Sequence, residues 1–319
     1  MVCESESGGG VVRPRRRLRV TVLCGGPSAE RAVSLQSGHA VAEALRRRGH
    51  DVFVSDIGPD RVEALDIPTD VVFPALHGPF GEDGTVQRTM EARGLRFVGS
   101  GAEASALAMD KVASKRLVAT ADIATPPYEV WDGARLAAGG VPDLPWPVIV
   151  KPVDQGSSVA TTIVHEAAAF APAVRLCVER FGRALVEQFI AGDELTVGIV
   201  GATTLPPICV RPKRSFYDFV AKYEDDATEY LFETEHGPDV FATAQRLSRR
   251  VFAVLGCRHL ARVDWIVDPQ RRLWFLEINT LPGFTSHSLV PKAAARLGLE
   301  FDELVERLVF MALGGAETE

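Results

Sequence analysis

The stretch from Ala261 to Leu289, ARVDWIVDPQRRLWFLEINTLPGFTSHSL, carries the most information about the fold. Large apolar side chains occupy every second position of residues 263–267, which is the period of a β-strand. Asp-Pro-Gln at 268–270 is a turn signal, and residues 274–279 show strand period again. The sequence therefore predicts a β-hairpin. Alternation assigns the two faces of its second strand as Phe275, Glu277, Asn279 and as Trp274, Leu276, Ile278.

The predicted hairpin gathers polar side chains on one patch. Side chains two residues apart on a strand share a face, so Glu277 and Asn279 point the same way. If the hairpin closes around residues 270–271, Asp264 lies opposite Glu277 and Arg262 lies opposite Asn279. Such groups need partners when they are buried, and magnesium takes one or two carboxylates plus substrate phosphates. The alternative is the solvated outer face of an edge hairpin, because any half-exposed sheet alternates in this way.

Composition excludes several classes of protein. A chain of 319 residues is long enough for two or three domains. The net charge of −7 argues against nucleic acid as a partner. The sequence contains neither an apolar run of ~20 residues nor a secretory signal, so we expect no membrane partner and a cytoplasmic location. Five scattered cysteines without a CxxC motif are typical of reduced thiols.

Residues 1–17 are predicted to be a disordered tail, after which strands and helices alternate. This alternation predicts an α/β domain with a parallel sheet. The predicted strands are 18–23, 51–55, 71–74 and 97–98, and the predicted helices are 33–48 and 84–93. Ligands of such sheets bind outside the carboxyl ends of the strands. Glu30 and His77 each follow a strand, so we expect both in that crevice, although a loop histidine is more often a capping or packing residue.

Two glycine-containing turns suggest nucleotide chemistry. Residues 99–104 (GSGAEA) match G-x-G-x-x-A, and Asp122 lies about 20 residues further on, which is the dinucleotide-binding pattern. We favour a simple turn into a helix over residues 104–119, because the pattern does not stand at the first strand–helix unit. Residues 154–159 (DQGSSV) follow a strand that carries Lys151, and such a turn offers N–H groups and hydroxyls to phosphate. An ordinary hairpin loop is the alternative.

A long charged and aromatic segment, residues 211–235, is predicted to be a lid, since long loops in compact domains are usually lids or disordered. Together with the motifs above it resembles the D-alanine–D-alanine ligase family of the ATP-grasp superfamily. The resemblance covers roughly residues 18–313. Its motifs are GGPSAERAVSLQSG at 25–38, LHGPFGEDGTVQ at 76–87, MDK at 109–111, KPVDQGSSV at 151–159, EQFIAGDELTV at 187–197, YDFVAKY at 217–223 and RVDWIVD…LEINTLPGFTSHSLVP at 262–291.

The resemblance implies a three-domain ATP-grasp architecture and a homodimer. Its N-terminal α/β domain would span residues 18–103, its central domain 104–188 and its C-terminal domain 189–319, with 211–235 as the lid loop. ATP would lie between the last two domains. The implied ATP contacts are Glu187, Gln188 and Ile190 at adenine, Glu194 at ribose, and Lys111, Lys151 and Lys222 at the phosphates.

The resemblance also implies the metal and substrate contacts. Asp264, Glu277 and Asn279 would hold two Mg²⁺ ions, or Mn²⁺. The implied substrate contacts are Glu30 at the first ammonium, Ser157 and Tyr223 between that end and the lid, Arg262 and Gly283 at the oxyanion, Ser288 and Leu289 at the second carboxylate, and His77 nearby.

The implied reaction joins two D-alanines for peptidoglycan synthesis. The first carboxylate attacks the γ-phosphate of ATP, and the second amine displaces phosphate from the acyl phosphate. A lid that excludes water would protect this intermediate. The sequence departs from the family pattern at Gln155, Ala160 and Val220, where Glu, Gly and Glu are usual. Other acceptors, namely D-serine, D-lactate or a secondary-metabolite amino acid, stay open, with Tyr223 favouring an amine.

Overall fold

The computed structural model describes residues 16–211 and 228–314. Its first unit is the predicted parallel sheet, with strand order β2-β1-β3. The elements are β1 (Arg19–Cys24), α1 (Arg31–Arg47), β2 (Asp51–Asp56), a 3-10 turn (Glu63–Asp66), β3 (Val71–Pro74) and α2 (Thr85–Ala92). The predicted strand at 97–98 is reduced to an isolated bridge between Phe97 and Val72. The predicted tail lies outside the described residues except for Arg16 and Arg17.

The predicted helix over residues 104–119 is two helices, α3 (Ala102–Met109) and α4 (Lys111–Ala119). Asp110 separates them in an extended conformation, and its carboxylate accepts hydrogen bonds from the N–H groups of Val112 and Ala113 at 2.9 Å. An aspartate at this position caps a new helix. Alanine-rich residues favour one helix or two equally, so the pattern alone misses the break. The new helix directs Lys111 towards the central sheet.

The central sheet is antiparallel, with strand order β4-β7-β5-β6. Its elements are β4 (Tyr128–Asp132), α5 (Gly133–Ala138), β5 (Val148–Pro152), β6 (Thr162–Val164), α6 (Ala167–Phe181) and β7 (Arg183–Gln188). Helix α6 covers one face, because Phe170, Val174 and Cys177 pack against Trp131 and Val150. The other face is left to line a cavity.

The C-terminal sheet has strand order β11-β10-β8-β12-β13, and β9 also pairs with β8. Its elements are β8 (Asp193–Val200), β9 (Thr203–Thr204), β10 (Ile208–Arg211), β11 (Glu229–Leu231), α7 (Gly237–Val254), β12 (Leu260–Val267), β13 (Leu273–Asn279), α8 (Leu289–Ala295) and α9 (Phe301–Ala312). Strands β10 and β11 occupy both ends of the predicted lid loop, 211–235, so that prediction is too wide. Residues 212–227, with Lys222 and Tyr223, lie outside the described residues.

The last helix returns to the first sheet. Leu304 and Leu308 of α9 share a core with Val20, Leu45 and Phe73 of the N-terminal unit. Two ion pairs flank this core, Arg47 with Asp302 at 2.7 Å and Arg48 with Glu306 at 2.6 Å. The last described helix is thereby held against the N-terminal unit. Each of the three predicted domain ranges contains one sheet, and the boundaries themselves stay a prediction.

The predicted register of the hairpin is confirmed, whereas strict alternation along its second strand is wrong. Asp264 pairs with Glu277 and Arg262 with Asn279. Between Asp264 and Trp265 the register shifts by one, so Trp265 pairs with Phe275 and their rings lie 5.8 Å apart in the core. Leu276 is the extra residue of a β-bulge. Phe275 therefore faces away from Glu277.

Candidate active site

Two adjoining cavities contain every predicted site residue that the structure describes. The larger, of about 440 Å³, is lined by Lys111, Lys151, Glu187, Gln188 and Ile190. The smaller, of about 70 Å³, is lined by Glu30, His77, Ser157, Arg262, Asn279, Gly283, Ser288 and Leu289. Asp264, Glu277, Glu194 and Gly156 line both. The carboxylates of the hairpin thus stand where the two cavities meet.

The larger cavity has apolar walls from two sheets. Ile149 of β5 lies on one side, and Ile266 of β12 and Leu276 of β13 lie on the other. Phe189 follows β7 and lines the same space. An apolar slot with polar groups at its edges is the usual form of a site for a flat ring. The sequence analysis missed Ile266 and Leu276, because the bulge that brings Leu276 beside Glu277 leaves no mark in the pattern.

A buried charged trio forms the floor at one end of this cavity. The carboxylate of Glu187 is 1% exposed and contacts two ammonium groups, Lys115 at 2.7 Å and Lys151. Burial lowers the pKa of Lys115 to about 8, although Glu187 opposes this shift. Burial would raise the pKa of Glu187, but the two lysines outweigh it and hold that pKa below its usual value. Burial would also lower the pKa of Lys151, but Glu187, Glu277 and Glu194 together outweigh it and raise that pKa.

Lys115 was missed by the sequence analysis. It stands four residues after Lys111 on α4, so the two lysines share a helix face. That spacing could have marked Lys115 as a second lysine on the same face, but it does not indicate its partner Glu187. Lys111 itself donates to the carbonyl oxygen of Gln155 at 2.6 Å and lies 3.4 Å from the carboxylate of Glu277. Helix α4 therefore links the loop at residues 154–160 to the shared wall, which is formed by the residues that line both cavities.

The carboxylate of Asp264 in the shared wall is held in place rather than solvated. Asp264 is 4% exposed and accepts a hydrogen bond from Thr196 Oγ1 at 2.5 Å. The guanidinium of Arg262 donates to both carboxylate oxygens of Asp264 at 2.8–3.1 Å, in a bidentate arrangement. Asn279 Oδ1 accepts from the N–H of Leu281 at 2.7 Å. These contacts contradict the alternative of a solvated outer face.

This donor set fits magnesium. Two carboxylates and an amide oxygen are hard ligands, and they stand beside a space large enough for a phosphate-bearing ligand. Glu82, which the sequence analysis did not assign, accepts from Asn279 Nδ2 at 3.1 Å and so fixes which atom of the amide faces the patch. Outer partners of this kind are typical of metal ligands.

The loop over residues 154–160 bends through unusual backbone conformations. Ser157, Ser158 and Ala160 have φ of 49°, 56° and 52°. Only glycine adopts this left-handed region freely, so the departure at Ala160 places strain in the loop. The Ser157 hydroxyl donates to the carboxylate of Glu30. The central loop and the N-terminal unit are thereby joined at the smaller cavity.

Glycines let backbone approach the other walls of the smaller cavity. A Cβ on Gly283 would lie 2.8 Å from Ser288 Oγ, and that hydroxyl already accepts from the N–H of Thr285 at 2.8 Å. His77 is buried, with its Nε2 3.3 Å from Ser37 Oγ and its Nδ1 3.7 Å from Glu82. His77 thus lines the smaller cavity together with Glu30, and its ring is held by neighbours on two sides.

Contacts at the glycine turn of residues 99–104 contradict the dinucleotide alternative. The N–H of Ala102, the first of α3, donates to Glu91 Oε1 at 3.0 Å, so a carboxylate already occupies the place of a pyrophosphate. The N–H of Gly99 donates to His259 Nδ1 at 3.1 Å. The turn into a helix that the sequence analysis favoured is what the structure contains.

Two further observations concern the wider molecule. Within residues 16–211 and 228–314, no helix combines the length and the hydropathy that a membrane crossing requires. The four described cysteines, Cys24, Cys177, Cys209 and Cys257, are free thiols as predicted.

The fold and the site define an ATP-grasp protein. A chain of the D-Ala:D-Ser ligase VanG from Enterococcus faecalis superposes with a TM-score of 0.81 at 27% identity, covering 93% of this chain and 100% of that one. The D-alanine–D-alanine ligase from Bacillus anthracis complexed with ATP superposes with the same score at 28% identity, covering 94% of this chain and 98% of that one.

Sequence comparison identifies the family. The D-ala D-ala ligase C-terminus family matches residues 117–310, and the D-ala D-ala ligase N-terminus family matches residues 55–100. A D-alanine–D-alanine ligase of Syntrophotalea carbinolica is 44% identical and covers 91% of this chain and 95% of the relative. One of Gloeobacter violaceus is 43% identical and covers 93% and 100%. The chain belongs to the D-alanine–D-alanine ligase family.

Proposed function

We propose that this protein joins two D-alanine molecules into D-alanyl-D-alanine with conversion of ATP to ADP and phosphate, as a step of peptidoglycan precursor synthesis. The observation that carries the proposal is the meeting of the two cavities at Asp264 and Glu277. One cavity has the size and apolar walls for a nucleotide, and the other has the size and polarity for small amino acids. Family membership supports the same activity.

ATP would occupy the larger cavity. The adenine ring would lie in the apolar slot near Gln188 and Ile190, with Glu187 at its edge, and the ribose hydroxyls would bind Glu194. Lys111 and Lys151 would neutralise the phosphates, and Lys151 would do so from beside Glu187. Lys222 would add a third positive charge from outside the described residues.

The first D-alanine would lie in the smaller cavity with its ammonium group on Glu30. The Ser157 hydroxyl, which donates to the same carboxylate, would keep that oxygen pointing into the cavity. His77 borders the same space. This placement directs the substrate carboxylate towards the shared wall, where the γ-phosphate of ATP would lie.

Two magnesium ions, or manganese, would be held by Asp264, Glu277 and Asn279. When bound, they would neutralise charge on the phosphoryl group during its transfer. Arg262 contacts Asp264 in this structure and would also stabilise the oxyanion, together with the backbone at Gly283. Ser288 and the backbone at Leu289 would bind the carboxylate of the second D-alanine.

Exclusion of water would complete the site, because an acyl phosphate hydrolyses when water reaches it. The proposed lid, with Lys222 and Tyr223, would close over the junction of the cavities.

We also propose the domain boundaries at residues 103 and 188, assembly as a homodimer and a cytoplasmic location.

The test is phosphate release from ATP across a panel of D-amino acids, L-amino acids and D-hydroxy acids. The proposal predicts ADP and D-alanyl-D-alanine with D-alanine alone, and no product with L-alanine as the first substrate. Rapid turnover of another amino acid with none of D-alanine would overturn it.

D-Serine is the second candidate for the acceptor. The specific observation is that VanG, a D-Ala:D-Ser ligase, superposes as well as the D-alanine–D-alanine ligase from B. anthracis. Competition between D-alanine and D-serine at equal concentration, with the two dipeptides separated by mass, decides between them.

A further inference from the structure

The buried trio of Lys115, Glu187 and Lys151 pairs one carboxylate with two ammonium groups. Each oxygen of Glu187 faces a different lysine: Oε1 lies 2.7 Å from Lys115 Nζ, and Oε2 contacts Lys151 Nζ. Glu187 is 1% exposed and Lys115 is fully buried. A single lysine would be enough to balance the carboxylate, so the second one calls for an explanation.

The two lysines differ in what they can reach. Lys151 lines the larger cavity, and its side chain is 13% exposed. Lys115 is fixed behind the cavity floor, where it also donates to Thr125 Oγ1 at 2.7 Å and to the carbonyl oxygen of Phe275 at 3.1 Å. Both of these additional partners are neutral. Lys115 therefore cannot contact a ligand in the cavity, whereas Lys151 can.

A ligand phosphate would compete with Glu187 for Lys151. If Lys151 were the only partner of Glu187, its departure would leave a buried carboxylate without a counter-ion. Breaking a buried ion pair in that way is strongly unfavourable. Lys115 removes this obstacle, because it stays on Oε1 while Lys151 moves.

We propose that Lys115 is the fixed counter-ion of Glu187, and that it allows Lys151 to pass from Glu187 in the nucleotide-free protein to a phosphate of ATP. Lys115 is then a positioning residue that acts through Glu187 and Lys151 without touching the nucleotide. The inference rests on the proposed use of the larger cavity for ATP.

The variant Lys115→Met separates this role from a purely structural one. It leaves Glu187 and Lys151 as a one-to-one pair, so no charge is left uncompensated in the nucleotide-free protein. The carbonyl oxygen of Phe275 keeps a donor, because Thr125 Oγ1 also donates to it at 3.0 Å. We therefore expect the variant to fold.

The measurement is the affinity of the full-length protein for ATP, ADP and adenosine by titration calorimetry, alongside the melting temperature. The proposal predicts that Lys115→Met weakens ATP and ADP at least tenfold and adenosine less than twofold, because adenosine does not need Lys151. Equal weakening of all three ligands would mean a general distortion of the cavity and would overturn the proposal.

Thr125→Val is the matched control. It removes one neutral partner of Lys115 and preserves the charges of the trio, so ATP affinity should change less than threefold. A loss as large as that of Lys115→Met would show that any disturbance of this floor is sufficient, which contradicts the proposal.

A double-mutant cycle with Glu187→Gln gives the most specific readout. In the Glu187→Gln background Lys151 has no carboxylate partner from which it must separate. Lys115→Met should therefore weaken ATP binding at least tenfold in the wild-type background but less than twofold in the Glu187→Gln background. Equal cost in both backgrounds would assign Lys115 a structural role only.

If Lys115→Met does not fold, the same binding measurements are made with Lys115→Gln, because its amide can still donate to Thr125 and Phe275. It is neutral and should show the same selective loss of ATP and ADP. Different results contradict the proposed function and the role of Lys115. Wild-type protein that does not bind ATP contradicts the proposed function, whereas wild-type binding with no selective loss in either Lys115 variant contradicts only the role of Lys115.

Discussion

The two cavities differ in size, in wall chemistry and in how their charges are held. The larger has apolar walls, and its buried charges form the trio around Glu187. The smaller is about a sixth of that volume, and its carboxylates are held by short polar contacts such as that between Ser157 and Glu30. One is suited to a large ring with an anionic tail, and the other to small zwitterions. Their shared wall is therefore the place where phosphate and carboxylate chemistry can meet.

Removing a carboxylate from the shared wall should have the largest effect. Glu277→Gln removes a charged group at the point where both cavities need one, so we expect turnover to fall by about 2 kcal/mol or more, roughly 30-fold. The magnesium concentration needed for half-maximal rate should also rise. Initial rates over a magnesium series check this.

Glu91→Gln is the control for that experiment, because Glu91 caps α3 away from both cavities. It should leave the magnesium dependence as it is in the wild type. A Glu277→Gln protein with unchanged rate and magnesium dependence would remove Glu277 from the metal site.

A substitution confined to the smaller cavity should change the binding of the first D-alanine and not of the second. A charged hydrogen bond contributes about 1.5–3 kcal/mol, so Glu30→Gln should raise the Michaelis constant for the first D-alanine about tenfold or more. The constant for the second should change little, because its amine must be neutral to attack. Kinetics over two ranges of D-alanine concentration separate the constants.

Glu43→Gln is the matched control, because Glu43 lies on the exposed face of α1, the helix that begins directly after Glu30. This variant should leave both Michaelis constants unchanged. Turnover of L-alanine as first substrate, or an equal rise in both constants for Glu30→Gln, would remove Glu30 from the proposed role.

Raising the pH should weaken the larger cavity selectively. The pKa of Lys115 is lowered to about 8, mainly by burial, and the charged groups around it are Glu187, Lys151 and Glu277. Above pH 8 Lys115 loses its proton, so Glu187 keeps Lys151 and ATP affinity should fall several-fold between pH 7 and 9. Lys115→Met should show a flatter profile over this range.

Deprotonation of Lys115 should lower ATP affinity but should increase the stability of the folded protein. Between pH 8 and the ordinary lysine pKa of 10.5, the unfolded chain binds more protons at this position than the folded one. The contribution of Lys115 to the free energy of unfolding therefore rises with pH across this window. Calorimetric unfolding of wild type and Lys115→Met across pH 7–10 checks the sign, and a parallel fall in both proteins would contradict it.

The smallest effect is expected in the loop between the cavities. Ala160 has φ of 52°, so Ala160→Gly should relieve strain and raise the free energy of unfolding by about 0.5–1 kcal/mol. Ala171→Gly, at an exposed position within α6, should lower it by about the same amount. Destabilisation of both variants in urea would contradict the strain at Ala160.

Local patterns placed the hairpin side chains, Glu30 and His77, because register and loop position are local properties, whereas the resemblance to a known family supplied most of the other candidate residues. The pairing of Asp264 with Glu277 follows from turn length and strand period, and Glu30 follows from its place after a strand. The bulge at Leu276 and the helix break at Asp110 do not follow from period, because one inserted residue or one cap leaves the average pattern intact. Lys115 was missed for a different reason: its partner Glu187 lies 72 positions away, and only the fold brings them together.

Transfer of oxygen from substrate to phosphate tests the central claim most directly. With D-alanine labelled by ¹⁸O in its carboxylate, attack on the γ-phosphate followed by displacement moves one labelled oxygen into inorganic phosphate for each dipeptide formed. Mass spectrometry of the released phosphate should show this single label. Unlabelled phosphate accompanying dipeptide formation would contradict the acyl phosphate and the chemistry placed at the shared wall.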